Sequence, residues 1–426
     1  VAKSQPPDDA TTRLIERARA AFAGGLPLLD GIGWSAKVER AFFAAGCERA
    51  PTPTYDVDRD AARERLARLD ALDRELRGDD ALTRLIRARI ESHRLGAQML
   101  LAIGTRRFSE LSREAYGGAR TSFLDGDTTN LDFADHLASR LGSSRGRADE
   151  DDASLDAVEL AAFVRERLAK RRKSPELAIV VDDELSAKVV AGKRRIRIRS
   201  DARFQPEEAR SLYLHEVETH VVTAQNGDAQ PHLDFLDSGG PRSTRTQEGL
   251  AVFAELYDKA LTLERLGRLI ARVRLVAMAE EGASFVDLYR HVTSQGVEPR
   301  NAYLDVARIF RGGLPAGGAP FTKDACYLSG LVEVYEFLRV AVTHDGRQLA
   351  EVLVSGRMAI EEVELLAALR DDGLLGPPTF EPGWLRRWDD LLVHFAFSSF
   401  LGEIDLGFAK SRHAWLEQRG SSMDQL

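Results

Sequence analysis

Cysteine is scarce here, with only Cys47 and Cys326 in 426 residues. Two thiols so far apart outline neither a disulfide framework nor a cysteine-based metal site, and their scarcity suits a reducing cytoplasm. Long apolar runs are also missing. A membrane-spanning helix needs about 20 consecutive apolar residues, and the best stretch, LGAQMLLAIG at 95–104, is half that. The opening VAKSQPPDD lacks the apolar core of a signal peptide. Positive charge is not in excess. A net charge of −8 argues against non-specific binding to nucleic acid. Histidine is thin, with nine residues, and only His215 and His220 lie close together. No internal repeat or low-complexity tract appears. What remains, 44% hydrophobic and 30% charged, is the balance of a soluble globular chain. Its length allows one large or two ordinary domains with an ample core.

Helical periodicity dominates. Apolar residues recur at helical spacing over 11–23, 58–77 and 79–104, and His93 in the last of these reads as structural. The polar, acidic stretch 143–154 is the best linker, which divides the chain into an N-terminal helical region, 1–150, and a second part, 151–426. A helix at 155–172 precedes a change of period. ELAIVVD (176–182) and AKVVA (187–191) are β-branched runs, and RRIRIRS (194–200) alternates Ile with Arg as a strand with one wet face does. Gly192-Lys193 supplies a tight turn between the last two. RRIRIRS reads as an edge that could pair with an extended peptide, although arginines on an edge also serve simply to block aggregation. A helix should start near Pro206, with Glu207 and Glu208 in its first turn, and stop at Asn226-Gly227. Thr246 is a plausible cap for the next helix, and from about 262 onward the chain reads as almost wholly helical.

The chemistry concentrates in LYLHEVETHVVTAQNG, 212–227, which carries His215, Glu216 and His220, and in TQEGLAVFAE, which carries Glu248. Two imidazoles, an adjacent acid and a later acid are the parts of a mono-zinc hydrolase. The usual short motif spaces its histidines i, i+4, about 40° apart around a helix; the i, i+5 spacing here turns the second ring by about 140°. In a regular helix the two rings could not share a metal, but a π-bulge would bring them together. With His215, His220 and Glu248 as ligands, a fourth zinc position stays open for water, and Glu216 is the natural general base. Other arrangements remain open. Glu216 with His220, or His215 with Glu218, would make ordinary helical surface pairs, and His232 competes for the third ligand position.

HEVETH followed by QEGLA resembles the QEGLA-motif family, the flavohaemoglobin-expression-modulating proteins of bacteria, whose eukaryotic relatives are the microtubule-associated tyrosine carboxypeptidases. Asn226-Gly227, RIFRGG (308–313) and FTKDACYLSGL (321–331) extend the similarity, which covers about 175–340. The resemblance implies a zinc metallopeptidase in which His215, His220 and Glu248 bind one Zn²⁺ and Glu216 is catalytic. The tubulin substrate of the eukaryotic relatives does not carry over, because this chain lacks an obvious basic extension and its acidic balance would repel an acidic tail. A carboxypeptidase also needs a cation for the substrate's terminal carboxylate. RIFRGG and FTKDACY offer Arg308, Arg311 and Lys323, and Tyr327 could donate to the carbonyl oxyanion. Each also has an ordinary structural role open to it, Lys323 beside Asp324 and Tyr327 in the core. Cys326 reads as a small core residue.

The expectation is therefore a predominantly helical α+β chain with a zincin-like core, acting in the cytoplasm on the C-terminus of a peptide or protein, without nucleic-acid or membrane partners. A zinc amidohydrolase of small amino-acid conjugates and a regulatory protein with a relict metal site are the competing readings.

Overall fold

Residues with apolar side chains at three- and four-residue spacing fold as helices throughout the computed structural model, which describes residues 7–24, 28–141, 154–183, 185, 188–344 and 346–403. The acidic linker, but for Ser154, and the expected boundary at 150 lie outside the described residues. The first periodic stretches form helices Asp9–Phe22, Arg59–Glu75 and Ala81–Ala102. In each, an aspartate ahead of the first turn (Asp8, Asp58, Asp80) accepts a backbone N–H three residues on, filling one of the donors a helix start leaves open. His93 is structural: its Nδ1 lies 3.2 Å from Arg65 Nη2, its ring stacks on Phe22, and burial first and nearby arginines second lower its pKa to about 3. Helices Ala36–Ala44, Arg106–Tyr116 and Asn130–Leu141 form as well, from stretches too short or too polar for the periodicity to single out.

The sheet has three strands, β1 (Ala178–Asp182), β2 (Val189–Ala191) and β3 (Arg195–Arg199), in the order β1-β3-β2. RRIRIRS is thus the central strand and not an edge: β3 pairs parallel with β1 and antiparallel with β2. Its alternation reports one buried face, carrying Ile196 and Ile198, and one wet face. An arginine on the wet face, Arg197, bonds Asp182 of the neighbouring strand at 2.7 Å. Alternation of this kind is blind to whether neighbours flank a strand on one side or both. Gly192 N donates to Arg195 O at 2.7 Å, so the tight turn holds Lys193 and Arg194, one residue later than expected. Lys193 Nζ then reaches Asp228 and Asp237, both at 2.7 Å, tying the hairpin to the end of the next helix.

That helix begins at Pro206, with Glu207 and Glu208 in its first turn, and runs as α-helix Pro206–Leu212, π-helix Tyr213–Val221 and α-helix Val222–Asp228. It ends at Asp228, one residue past Asn226-Gly227, where the stop was expected. Asn226 Nδ2 donates to Val354 O and Phe380 O, each at 2.8 Å, and braces the helix from inside. Gly227 lies against the Leu236 backbone, where a Cβ would not fit. Thr246, by contrast, is no cap, because the next helix, Ser243–Tyr257, starts three residues earlier and Thr246 Oγ1 accepts from Ile360 N at 2.9 Å.

Helix Ser243–Tyr257, which carries QEGLA, is clasped between the π-helix and helix Cys326–Thr343. A glycine-on-glycine crossing makes this closeness possible. A Cβ on Gly249 would strike the Gly330 carbonyl, and one on Gly330 would strike the Arg245 carbonyl. The glycine of QEGLA is thus a packing residue. N-terminal helices buttress the same region: Asn130 Nδ2 donates to Ala325 O and Thr322 N to Ser112 Oγ, each at 2.8 Å. No helix among the described residues is long and apolar enough to cross a membrane. Gly249→Ala or Gly330→Ala should force these helices apart and cost about 3 kcal/mol. Thermal melting checks this, and an unchanged melting temperature for both variants would refute the crossing.

Candidate metal centre

The i, i+5 spacing of His215 and His220 meets a helix that has widened to accommodate it. The π stretch spans nine residues, Tyr213–Val221, and includes both histidines. Widening disturbs the carbonyl ladder, and local side chains repair it: Thr219 Oγ1 donates to Leu214 O at 3.1 Å, five residues back, and Arg357 Nη2 donates to His220 O at 3.3 Å. The two rings end edge to face, with centroids 4.9 Å apart.

Glu248 completes the group. His215, His220 and Glu248 each offer a ligand atom, and these atoms lie within 4.8 Å of one another. Glu248 Oε2 sits 3.3 Å from His215 Nε2 and 3.7 Å from His220 Nε2. It is buried and makes no hydrogen bond among the described residues. A buried carboxylate oxygen without a donor, facing two imidazole nitrogens, is what a metal ligand looks like before the metal is added. The donor set, two nitrogens and an oxygen, fits a divalent ion such as zinc. The alternatives fall away. Glu218 turns to Arg171, to the Tyr213 hydroxyl at 3.1 Å and to Gly383 N at 2.8 Å, and His232 is not in the group.

Both sides of the group are held by buried charge. His215 Nδ1 lies 2.7 Å from Glu255 Oε1, and this leaves Nε2 as the nitrogen that faces Glu248. Glu255 is fully buried and also accepts from Ser211 Oγ at 2.7 Å and Arg265 Nε at 3.2 Å. Burial works against its charge, but His215 and Arg265 outweigh that and bring its pKa to about 2. Burial likewise opposes charge on His215, yet Glu248 and Glu255 raise its pKa to about 10. On the far side Lys323 Nζ donates to Glu248 Oε1 at 2.7 Å. Despite the penalty of burial, that pair holds Glu248 well below and Lys323 well above their ordinary ranges.

A model of the family described as microtubule-associated tyrosine carboxypeptidase matches residues 40–403. The chain belongs to this family. No curated protein matches it. Membership in the tyrosine carboxypeptidase family brings a carboxypeptidase-type activity on proteins. The match begins far ahead of residue 175, so most of the N-terminal helices that carried no recognisable motif are part of it.

In this family member a cavity of about 740 Å³ borders the group on its His215 side; its lining includes His215, Glu216, Tyr327, Arg272 and Arg308, but neither His220 nor Glu248. Glu216 is half-buried and makes no hydrogen bond or ion pair among the described residues. Tyr327 is buried with its ring stacked 6.4 Å from that of His215, and burial raises its pKa, so the phenol keeps its proton. The cations expected at a substrate carboxylate sit differently. Lys323 is committed to Glu248 and also donates to the Tyr327 hydroxyl at 3.3 Å. Arg311 is not among the lining residues and stacks over Phe321. Arg308 lines the cavity but forks onto Asp324 at 2.7 and 2.9 Å.

Four residues at the site were not anticipated. Glu255 follows Glu248 by seven positions, two helical turns along one face, which was a readable signal. Arg265, Arg268 and Arg272 share a face of helix Leu263–Glu280 at i, i+3 and i+7 and line the cavity. Glu255→Gln should leave all three ligand side chains in place while weakening zinc 10- to 100-fold. Competition with a chromophoric chelator measures this, and wild-type affinity would remove Glu255 from the centre.

Proposed function

We propose that this chain is a zinc-dependent carboxypeptidase with a zincin-type core, removing one C-terminal residue from a peptide or protein. The observation that carries this reading is the unbonded Glu248 oxygen facing the His215 and His220 nitrogens. In it, residues 151–426 form the catalytic unit and 1–150 buttress it. The family's description favours tyrosine as the residue released; association with microtubules is not part of the proposal.

His215, His220 and Glu248 would hold the metal, which when bound polarises the scissile carbonyl and acidifies water. Glu216, free of other partners on the cavity wall, takes the proton from water and passes it to the leaving amine. The Tyr327 phenol donates to the carbonyl oxygen as negative charge gathers there. Lys323 and Glu255 act through the ligands they touch: Lys323 orients Glu248, and Glu255 fixes the tautomer of His215.

Glu216→Gln should bind zinc stoichiometrically and lose about 10³-fold in turnover of a peptide library read by mass spectrometry. His215→Ala and Glu248→Ala should lose both the metal and activity. Wild-type turnover by Glu216→Gln would sink its assignment as the base, and zinc-free protein of full activity would sink the metallopeptidase.

A further inference from the structure

Two guanidiniums crowd one buried carboxylate at the wall of the cavity. Asp324, whose side chain is 2% exposed, is already satisfied by the fork of Arg308. Arg272 lies against the same carboxylate, but its Nε is 3.8 Å from Asp324 Oδ2, its side chain is 13% exposed, and that nitrogen makes no hydrogen bond among the described residues. Arg311 adds its charge from further off, and Asp305 is near enough to feel Arg272 and Arg308 but bonds neither among the described residues. Burial pulls the Arg272 guanidinium below its ordinary range, as it does for a cation short of compensation. An almost buried cation without a full partner is costly unless an anion arrives.

The other cations on this wall are engaged. Arg265 bonds Glu255, Arg268 bonds Glu264, and Lys188 bonds Glu208. Arg203 has no ion pair among the described residues but is exposed. Arg272 is therefore the lining cation that is both sheltered and underbonded. It also adjoins the reacting groups: its guanidinium lies 5.6 Å from the centre of the Tyr327 ring, which stacks on His215.

We infer that Arg272 receives the terminal carboxylate of the peptide, with Arg308 beside it and Asp324 as the positioning residue that holds both. The inference rests on the carboxypeptidase reading above and deepens it. A guanidinium fork matches a carboxylate bidentately, and an anchor at this point limits cleavage to the last residue. Lys323 and Arg311, which the sequence also offered, are left out of that contact.

Calorimetry of ligand binding to the zinc-loaded full chain tests this without requiring turnover. The probes are N-acetyl-tyrosine, its amide, and N-acetyl-aspartyl diamide's mono-acid counterpart in which the side chain carries the only carboxylate. Wild type should bind the tyrosine acid about 100-fold tighter than its amide and tighter than the side-chain acid. Arg272→Ala should erase that preference with zinc content unchanged. Arg272→Lys, which keeps the charge and guards against a folding failure of the alanine variant, should retain only about a tenth of it because the fork is gone. Undiminished preference in both variants, or equal binding of acid and amide by wild type, overturns the anchor, and so does equal binding of the side-chain acid. Wild type that discriminates as expected but cuts no free-acid peptide would support the anchor and remove the hydrolase reading. Equal cleavage of free-acid and amidated peptides would overturn the anchor and leave the hydrolase.

Discussion

Glu248 is a carboxylate that folding has taken out of water, and most of the surrounding structure can be read as compensation for it. One oxygen is held by the buried ammonium of Lys323; the other is left facing two imidazoles. Polar contacts continue outward in a chain, from Glu248 to His215, to Glu255, to Arg265. A buried ion pair gains little over apolar packing, but breaking one strands a charge at a cost of about 3–5 kcal/mol. The chain of contacts therefore makes each member depend on its neighbours, and the positions of His215 and Glu248 are held by Glu255 and Lys323.

Backbone closeness is the second constraint. The QEGLA helix can bring Glu248 to the histidines only because it is pressed between two others, and the Gly249–Gly330 crossing allows that approach. On its other side the π-helix turns His215 and His220 toward the same point, with Thr219 repairing a carbonyl that the widening disturbs. Ligand convergence is thus a property of three helices together. The cavity beside it is rich in arginine although the chain as a whole carries −8. Net charge describes long-range attraction and repulsion; it says nothing of how a few buried guanidiniums are grouped around one wall.

The sequence by itself determined the elements and the ligand types. Apolar spacing marked most helices, the change to period two marked the sheet, and the five-residue separation of His215 and His220 required either a widened helix or no shared metal, because helical geometry leaves no third choice. It also contained Glu255, legible at two turns from Glu248. Only the tertiary structure decided what neighbours decide. β3 lies at the centre of its sheet because β1 and β2 flank it, which alternation cannot report. Asn226-Gly227 marks the helix end in the sequence, but that Asn226 binds Val354 and Phe380 and that Gly227 lies against Leu236 is decided by packing between distant segments. Lys323 and Arg308 were candidates to hold a substrate carboxylate, but each finds a carboxylate from another segment of the chain, Glu248 and Asp324, whereas Arg272 is left underbonded beside an aspartate already taken. A charged side chain's role depends on which opposite charge reaches it first, and that is settled by packing between distant segments.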